Sequence, residues 1–515
     1  MRAKRSILNL SFGLVSQLIT ILLGFFIPRL IMVNYGSEAN GLIASIGQII
    51  SYLALLEAGV GAASLQALYK PIAGNNKDNI NSILAATSSY YKRTGIYYFF
   101  AVVLLAVLYP LIVNSEISAI SIIAIILLTG MGGAINYYFQ GKFRILLIAE
   151  GKSYVETVIV TATTILNNVV RIILLLQGFN IIAVQASFFV LTLLQIVVFY
   201  FYMKKHYKWI DLKIKPDFAA IGQKNSVMIH EISYLVFRNT DMIILTFFTN
   251  LKIVSIYVMY NMIFTIVDNI VQTVNGSIKS ALGQIYHESK TEFLKFYDAY
   301  EVYFMGLIFS ILTVTYILII PFMRLYTAGV NDVNYIDWWL PVLFVTIKLL
   351  TNARTSSNNV ITIAGHFKKT QTRSILESAI NLSASLVFVI FIGIYGVLMG
   401  TIVALLYRSI DIVIYASRVL LNRSPWVTFR RWLTNAVIFI GIILVTTAMN
   451  IHIHSYVGII LWGMLLGIVI LPTYLIIASL LEREVFLYSL DYFKEYKDKF
   501  KSKFTTAPKV KGLSK

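Results

Sequence analysis

The ionisable side chains that stand out inside long apolar stretches are the cations Arg29, Arg238, Lys348 and Arg408, and the carboxylates Glu57, Asp241, Asp268 and Asp411. A charge at the centre of a bilayer costs at least about 2.5–3.5 kcal/mol by insertion scales, so such a residue faces a water-filled cavity or a partner. Cations lining a cavity suit an anionic or zwitterionic cargo, and carboxylates there suit coupling to a proton or a cation. The competing role is a structural ion pair. Arg238 and Asp241, and again Arg408 and Asp411, stand three residues apart on one helix face, so each pair can neutralise itself. Lys348 has no carboxylate one turn away, which favours an anion-facing role. Arg29 follows Pro28 near the outer end of its stretch, where snorkelling to headgroups is equally open to it. Glu57 and Asp268 are open to coupling or to a bond with a polar group on a neighbouring helix.

The elements that carry these charges are membrane helices. Of the 515 residues 58% are hydrophobic and 13% charged, with a mean hydropathy of +0.76; soluble domains carry about a quarter charged residues. The apolar residues come in runs of about 18–25, the length that crosses a hydrocarbon core as helix. The runs predict fourteen spans, at 8–28, 41–63, 95–114, 118–138, 154–176, 181–203, 227–248, 254–276, 301–321, 337–356, 375–393, 396–417, 433–449 and 456–479. Lys and Arg concentrate in alternate gaps, among them Lys92 and Arg93, Lys142 and Arg144, Lys204 to Lys224, Lys368 to Arg373, and Arg418 to Arg431, while the intervening gaps are nearly bare. By the positive-inside rule both termini are cytoplasmic. The same alternation accounts for the net charge of +19 as a cytoplasmic face that meets anionic headgroups, without nucleic acid.

The basic start Met1–Arg5 imitates a signal peptide but is read as a retained first helix. No cysteine is present, which removes thiolate chemistry and disulfides. P-loop, GxGxxG, HExxH and nucleophile-elbow motifs are missing, His452 and His454 make a poor metal pair, and the outer loops are short; a transporter, not an enzyme, is expected, with no cofactor. Asn, Gln, Ser and Thr recur inside the first, second, seventh and eighth spans, as in Gln17, Asn34, Gln48, Asn261, Gln272 and Asn275, fitting a polar lining where two lobes meet.

Two halves echo each other. Ile46-Gly-Gln-Ile through Ala67-Leu-Tyr-Lys70 lies on Tyr260-Asn-Met-Ile through Ala281-Leu-Gly-Gln284, each an inward-running helix that reaches Ala-Leu before a polar loop. This predicts an all-α integral membrane protein of two pseudo-symmetric six-helix lobes plus two extra helices. The expected divisions are an N-terminal lobe 1–208, a cytoplasmic connecting loop 209–226, a C-terminal lobe 227–423, two additional helices 424–480 and a basic tail 481–515 that begins as an amphipathic interfacial helix.

The segments Asn9-Leu-Ser-Phe-Gly13, Val33-Asn-Tyr-Gly-Ser-Glu-Ala-Asn-Gly41 and Leu55-Leu-Glu-Ala-Gly59, with Tyr234 to Asp241 and Ser356-Ser-Asn-Asn359 through Lys368, resemble the polysaccharide flippases of the multidrug/oligosaccharidyl-lipid/polysaccharide exporter superfamily. In particular they resemble its Wzx-like capsule and O-antigen repeat-unit flippases. The resemblance implies a V-shaped pair of lobes around a cavity that turns over undecaprenyl-pyrophosphate-linked oligosaccharide by alternating access in a bacterial cytoplasmic membrane. It implies H+ or Na+ as coupling ion, and a polysaccharide polymerase and glycosyltransferases as partners. The family's cavity cations fall here on Arg29, Arg238, Lys348 and Arg408, with Asp241 and Asp411 beside two of them. Rival cargoes of the same fold are lipid II and small molecules or drugs.

Overall fold

The computed structural model describes residues 2–53, 57, 60–222, 240–449 and 453–505. Among them all regular structure is helical, as it must be where no water satisfies the backbone unless a barrel closes. The helices in chain order are α1 (Arg2–Leu53), α2 (Val60–Ala73), α3 (Lys77–Ile112), α4 (Ala119–Phe139), α5 (Gly141–Ala149), α6 (Ser153–Leu176), α7 (Ile181–His206), α8 (Leu251–Glu288), α9 (Lys290–Tyr326), α10 (Trp339–Ala353), α11 (Thr355–Ile363), α12 (Phe367–Tyr415), α13 (Trp426–Ala448), α14 (Tyr456–Leu481) and α15 (Arg483–Thr505); residues 240–248 are also helical up to their last residue. Nine helices among the described residues are long and apolar enough to cross a membrane.

Short polar connections start the helices with side-chain caps. Asn180 accepts the Ala183 amide at 2.8 Å to open α7, and Ser455 accepts the Gly458 amide at 3.0 Å to open α14, each satisfying a donor that the first turn leaves over. Lys204, Lys205 and His206 close α7, where positive charge meets the negative end of the helix dipole.

Two long helices are broken rather than continuous. α1 carries the first expected span and most of the second, and turns at Gly36 (φ 84°, ψ 171°), a backbone conformation that a side chain would strain. The half-helix that follows is capped by a distant carboxylate: Asp332 accepts the Ser37 amide at 2.7 Å and the Ser37 hydroxyl at 2.6 Å. α12 covers two expected spans, 375–393 and 396–417, and breaks at Ile392 and Gly393. Its halves approach so closely that a Cβ on Gly400 would lie 2.4 Å from the Ser385 amide nitrogen, a packing that membrane helices obtain with small residues.

The chain divides into two compact units, one of residues 1–262, 326–335 and 375–401, the other of 263–325, 336–374 and 402–515. In the first, α3 runs along α4, α1 along α6, and α7 along both α4 and α6. Its core holds a polar chain in which Asn40 donates to Ser255 at 2.7 Å and the Tyr335 hydroxyl meets Ser255 and Ser37, each at 2.7 Å. In the second, α14 packs through Leu466, Ile470 and Tyr474 against Met305, Phe309 and Leu318 of α9, and the Tyr474 hydroxyl sits 2.9 Å from Thr313 Oγ1. Large apolar side chains such as Leu111, Leu176, Phe391 and Leu480 are exposed, the arrangement of a protein whose surroundings are hydrocarbon.

Candidate functional site

In the second unit α8 and α10 bring together two of the expected site residues. The Lys348 ammonium lies 2.7 Å from Asp268 Oδ2, and Asn352, one turn beyond Lys348, donates to Asp268 Oδ1 at 3.0 Å. One turn back on each helix, the rings of Phe264 and Phe344 stack with centroids 5.4 Å apart, so the register that stacks the rings also pairs the charges. Lys348 lacks a carboxylate nearby in sequence but acquires one eighty residues upstream. Both side chains remain partly exposed, at 14% and 25%, so the pair is accessible to a charged ligand.

Arg408 and Asp411 pair on one face of α12 at 2.6 Å, with the Arg408 side chain 5% exposed. Asp411 also accepts from Arg373, and Arg408 donates to Ser374 at 3.0 Å. Asp411 thus accepts from two guanidiniums, one from each half of the broken helix.

In the first unit Asp241 accepts from Thr401 Oγ1 at 2.9 and 3.1 Å and from the Tyr257 hydroxyl at 3.5 Å. Asn381 donates to Thr401 at 2.8 Å, and Ser385 donates to the Val397 carbonyl at 3.2 Å. The result is a carboxylate that accepts from two hydroxyls, one of them held by the Asn381 amide. Arg238 lies outside the described residues. Arg29 donates to the Tyr326 carbonyl at 3.0 Å, and Glu57 accepts from the Tyr91 hydroxyl, while nearby Arg144 pairs with Glu156 at 2.7 Å.

Sequence reasoning passed over two sets of charges. In the second unit, Arg423 and Arg431 converge on Asp298 and the fully buried Glu301. Arg430 and Arg431 also hold Glu482, at 2.8 and 3.0 Å. Burial alone would push the Glu482 carboxyl up, but the hydrogen bonds and charges of Arg431 and Arg430 outweigh it and hold the carboxyl below its ordinary value. The second set is Arg171 on α6, with Asn167 one turn before it. The signal for Arg171 was present in the sequence as an arginine within the expected span 154–176.

Among the described residues no group of three His, Cys, Asp or Glu side chains could hold a metal ion. No family model and no curated protein matches the chain. Solved structures do.

The fold is one that solved transporters share. A lipid II flippase, MurJ, in an inward closed conformation superposes with a TM-score of 0.68 over 93% of this chain and 100% of its own, at 15% identity. A multidrug resistance MATE family transporter of the MOP superfamily, inward-facing, gives 0.63 over 80% of this chain and 97% of its own, also at 15% identity. An outward-facing structure of a MATE family transporter gives 0.54 over 78% and 92%, at 14% identity. Together with its long apolar helices, this fold makes the chain a multi-pass membrane protein of the architecture that flippases and exporters share.

Proposed function

We propose that this protein flips a polyprenyl-pyrophosphate-linked saccharide across a bacterial cytoplasmic membrane by alternating access. The observation that carries this reading is coverage: the likeness to a lipid II flippase extends over 93% of the chain and the likeness to a MATE transporter over 80%. The additional length is of the size two further helices need, which supports fourteen spans arranged as two six-helix lobes and an appended pair, α13 and α14. Lipid II is the cargo this coverage favours. The sequence resemblance to repeat-unit flippases favours an oligosaccharide repeat unit as the second reading; both cargoes offer the same pyrophosphate.

In this reading Lys348, Arg408 and Arg373 meet the pyrophosphate, the arginines through paired N–H donors and the lysine as a point charge. Arrival of the phosphate competes with Asp268 for Lys348. Asp241, set among Thr401, Asn381 and Tyr257, is the carboxylate placed for H+ or Na+ coupling, and a polymerase or transferase acting on the glycan is the partner that consumes the product.

The test is depletion of the protein in its native host, with lipid II and polyprenyl-linked oligosaccharide each assayed for leaflet. Lipid II trapped inside with lysis supports the first cargo; trapped repeat unit with loss of surface glycan and intact growth supports the second. Normal distribution of both defeats glycan flipping and turns attention to small-molecule export.

A further inference from the structure

Arg171 is a membrane-embedded cation that no described residue answers. It lies on α6 five residues before Leu176, about 7.5 Å along the axis from that helix end, and the bare, non-basic connection 177–180 marks that end as the outer one. Its Nε is buried without a hydrogen-bond partner, and no described carboxylate acts on it. What it does touch is aromatic: the guanidinium carbon lies 5.6 Å from the centroid of Phe188 on α7.

The same helix pair holds two more orphans. Asn167 Oδ1, one turn before Arg171 on the same face of α6, and Gln185 Nε2, three residues before Phe188 on α7, are buried with no partner; the two residues are 8% and 2% exposed. Buried polar groups are paired in the large majority of cases, and the two orphaned donors, Arg171 Nε and Gln185 Nε2, are linked through Phe188, which Arg171 faces and which follows Gln185 by three residues on α7. Water would serve the amides but leave the guanidinium's charge uncompensated, which in a membrane span is the costly term. An anion answers the two orphaned donors, Arg171 Nε and Gln185 Nε2, leaving Asn167 Oδ1 to a water, and a planar guanidinium fits phosphate. The surface around the cluster is apolar: Ile173, Leu176, Phe179 and Val190 are all exposed. An anion arriving across that surface must carry apolar chains of its own.

We propose that Arg171 and Gln185 form a binding site on the outer side of the membrane for the phosphate group of a lipid. The site uses none of the charges assigned to cargo passage above, so its loss and the loss of glycan flipping are separate results. The phosphate can come from a bulk anionic lipid or from the polyprenyl carrier, and the measurement separates them.

Purified protein in neutral detergent is melted alone, with phosphatidylglycerol, with undecaprenyl pyrophosphate and with inorganic pyrophosphate. Wild type is expected to gain about 1–2 °C in Tm from a lipid-borne phosphate. A gain from phosphatidylglycerol and the carrier alike identifies a general headgroup site; a gain from the carrier alone identifies a carrier site. Arg171→Gln should abolish the gain while leaving the ligand-free Tm unchanged or higher, because it removes an unanswered charge. Arg171→Lys should keep part of the gain, and Gln185→Leu should raise the half-saturating lipid concentration about tenfold. An equal gain in Arg171→Gln, an equal gain from inorganic pyrophosphate, or a lowered ligand-free Tm in Arg171→Gln that Arg171→Lys restores would each overturn the site.

Discussion

Arg431 of the second unit and Arg171 of the first are both arginines removed from water, and their surroundings are opposite. Arg431 is held by Asp298, Glu301 and Glu482, and Arg423 shares the first two. Arg171 has a ring face and orphaned amides. A buried charge with carboxylates on several sides is spent on architecture: this network joins the start of α9, the loop before α13 and the junction of α14 with α15. A buried charge left over is available to something that comes and goes. The first kind costs stability when a partner is removed; the second does not.

The largest expected effect breaks the architectural case. Glu301→Gln takes the buried carboxylate from between Arg423 and Arg431 and strands both, at a cost of about 3–5 kcal/mol; thermal denaturation in detergent reads it as a large drop in Tm or a loss of folded protein. A wild-type Tm would show that Asp298 and Glu482 suffice, and the contrast with Arg171 would collapse.

The next effect is intermediate, because the pair at Lys348 lies between the two kinds. Lys348→Met leaves Asp268 with Asn352 alone and should lower stability by about 2 kcal/mol. Adding Asp268→Asn should restore most of that, since replacing both partners removes the uncompensated charge. Transport should stay low in the double variant if Lys348 meets the cargo. Transport that returns with stability would make the pair purely structural.

A smaller effect is a pH dependence. Glu482 has a folded-state pKa held below its ordinary value by Arg431 and Arg430, so its contribution is present above the unfolded value of about 4.3 and lost as pH falls through the folded one. The Tm of the wild type should therefore decline more steeply than that of Glu482→Gln on going from about pH 5 to about pH 3. Parallel declines would mean the carboxyl is not held by the arginines. The smallest effect is the ligand-free Tm of Arg171→Gln, expected to stay at the wild-type value or rise by no more than about 0.5 kcal/mol equivalent.

How far the site could be read from the sequence follows from distance along the chain. Arg408 and Asp411 are three residues apart, and helix geometry alone places them together; the structure pairs them and adds Arg373, from the start of the same broken helix. Lys348 looked unpartnered because its carboxylate belongs to another helix. Glu301 drew no attention at the very edge of an expected span, and its arginines lie more than 120 residues further on. Arg171 was visible as a letter but not as an orphan, since lacking a partner is a property of the whole packing.

The sequence by itself determined that this chain is a multi-pass helical membrane protein and roughly where its helices run. Hydrocarbon forces each crossing to be a long apolar segment that satisfies its own backbone, and that requirement is written locally. It also located the charged residues that must be explained. Only the tertiary structure decided which of those charges are answered, because an ion pair across helices depends on register and packing between segments that the sequence keeps far apart. The same holds for the two helix breaks. The break at Gly36 needed Asp332, nearly three hundred residues away, to cap the half-helix it begins.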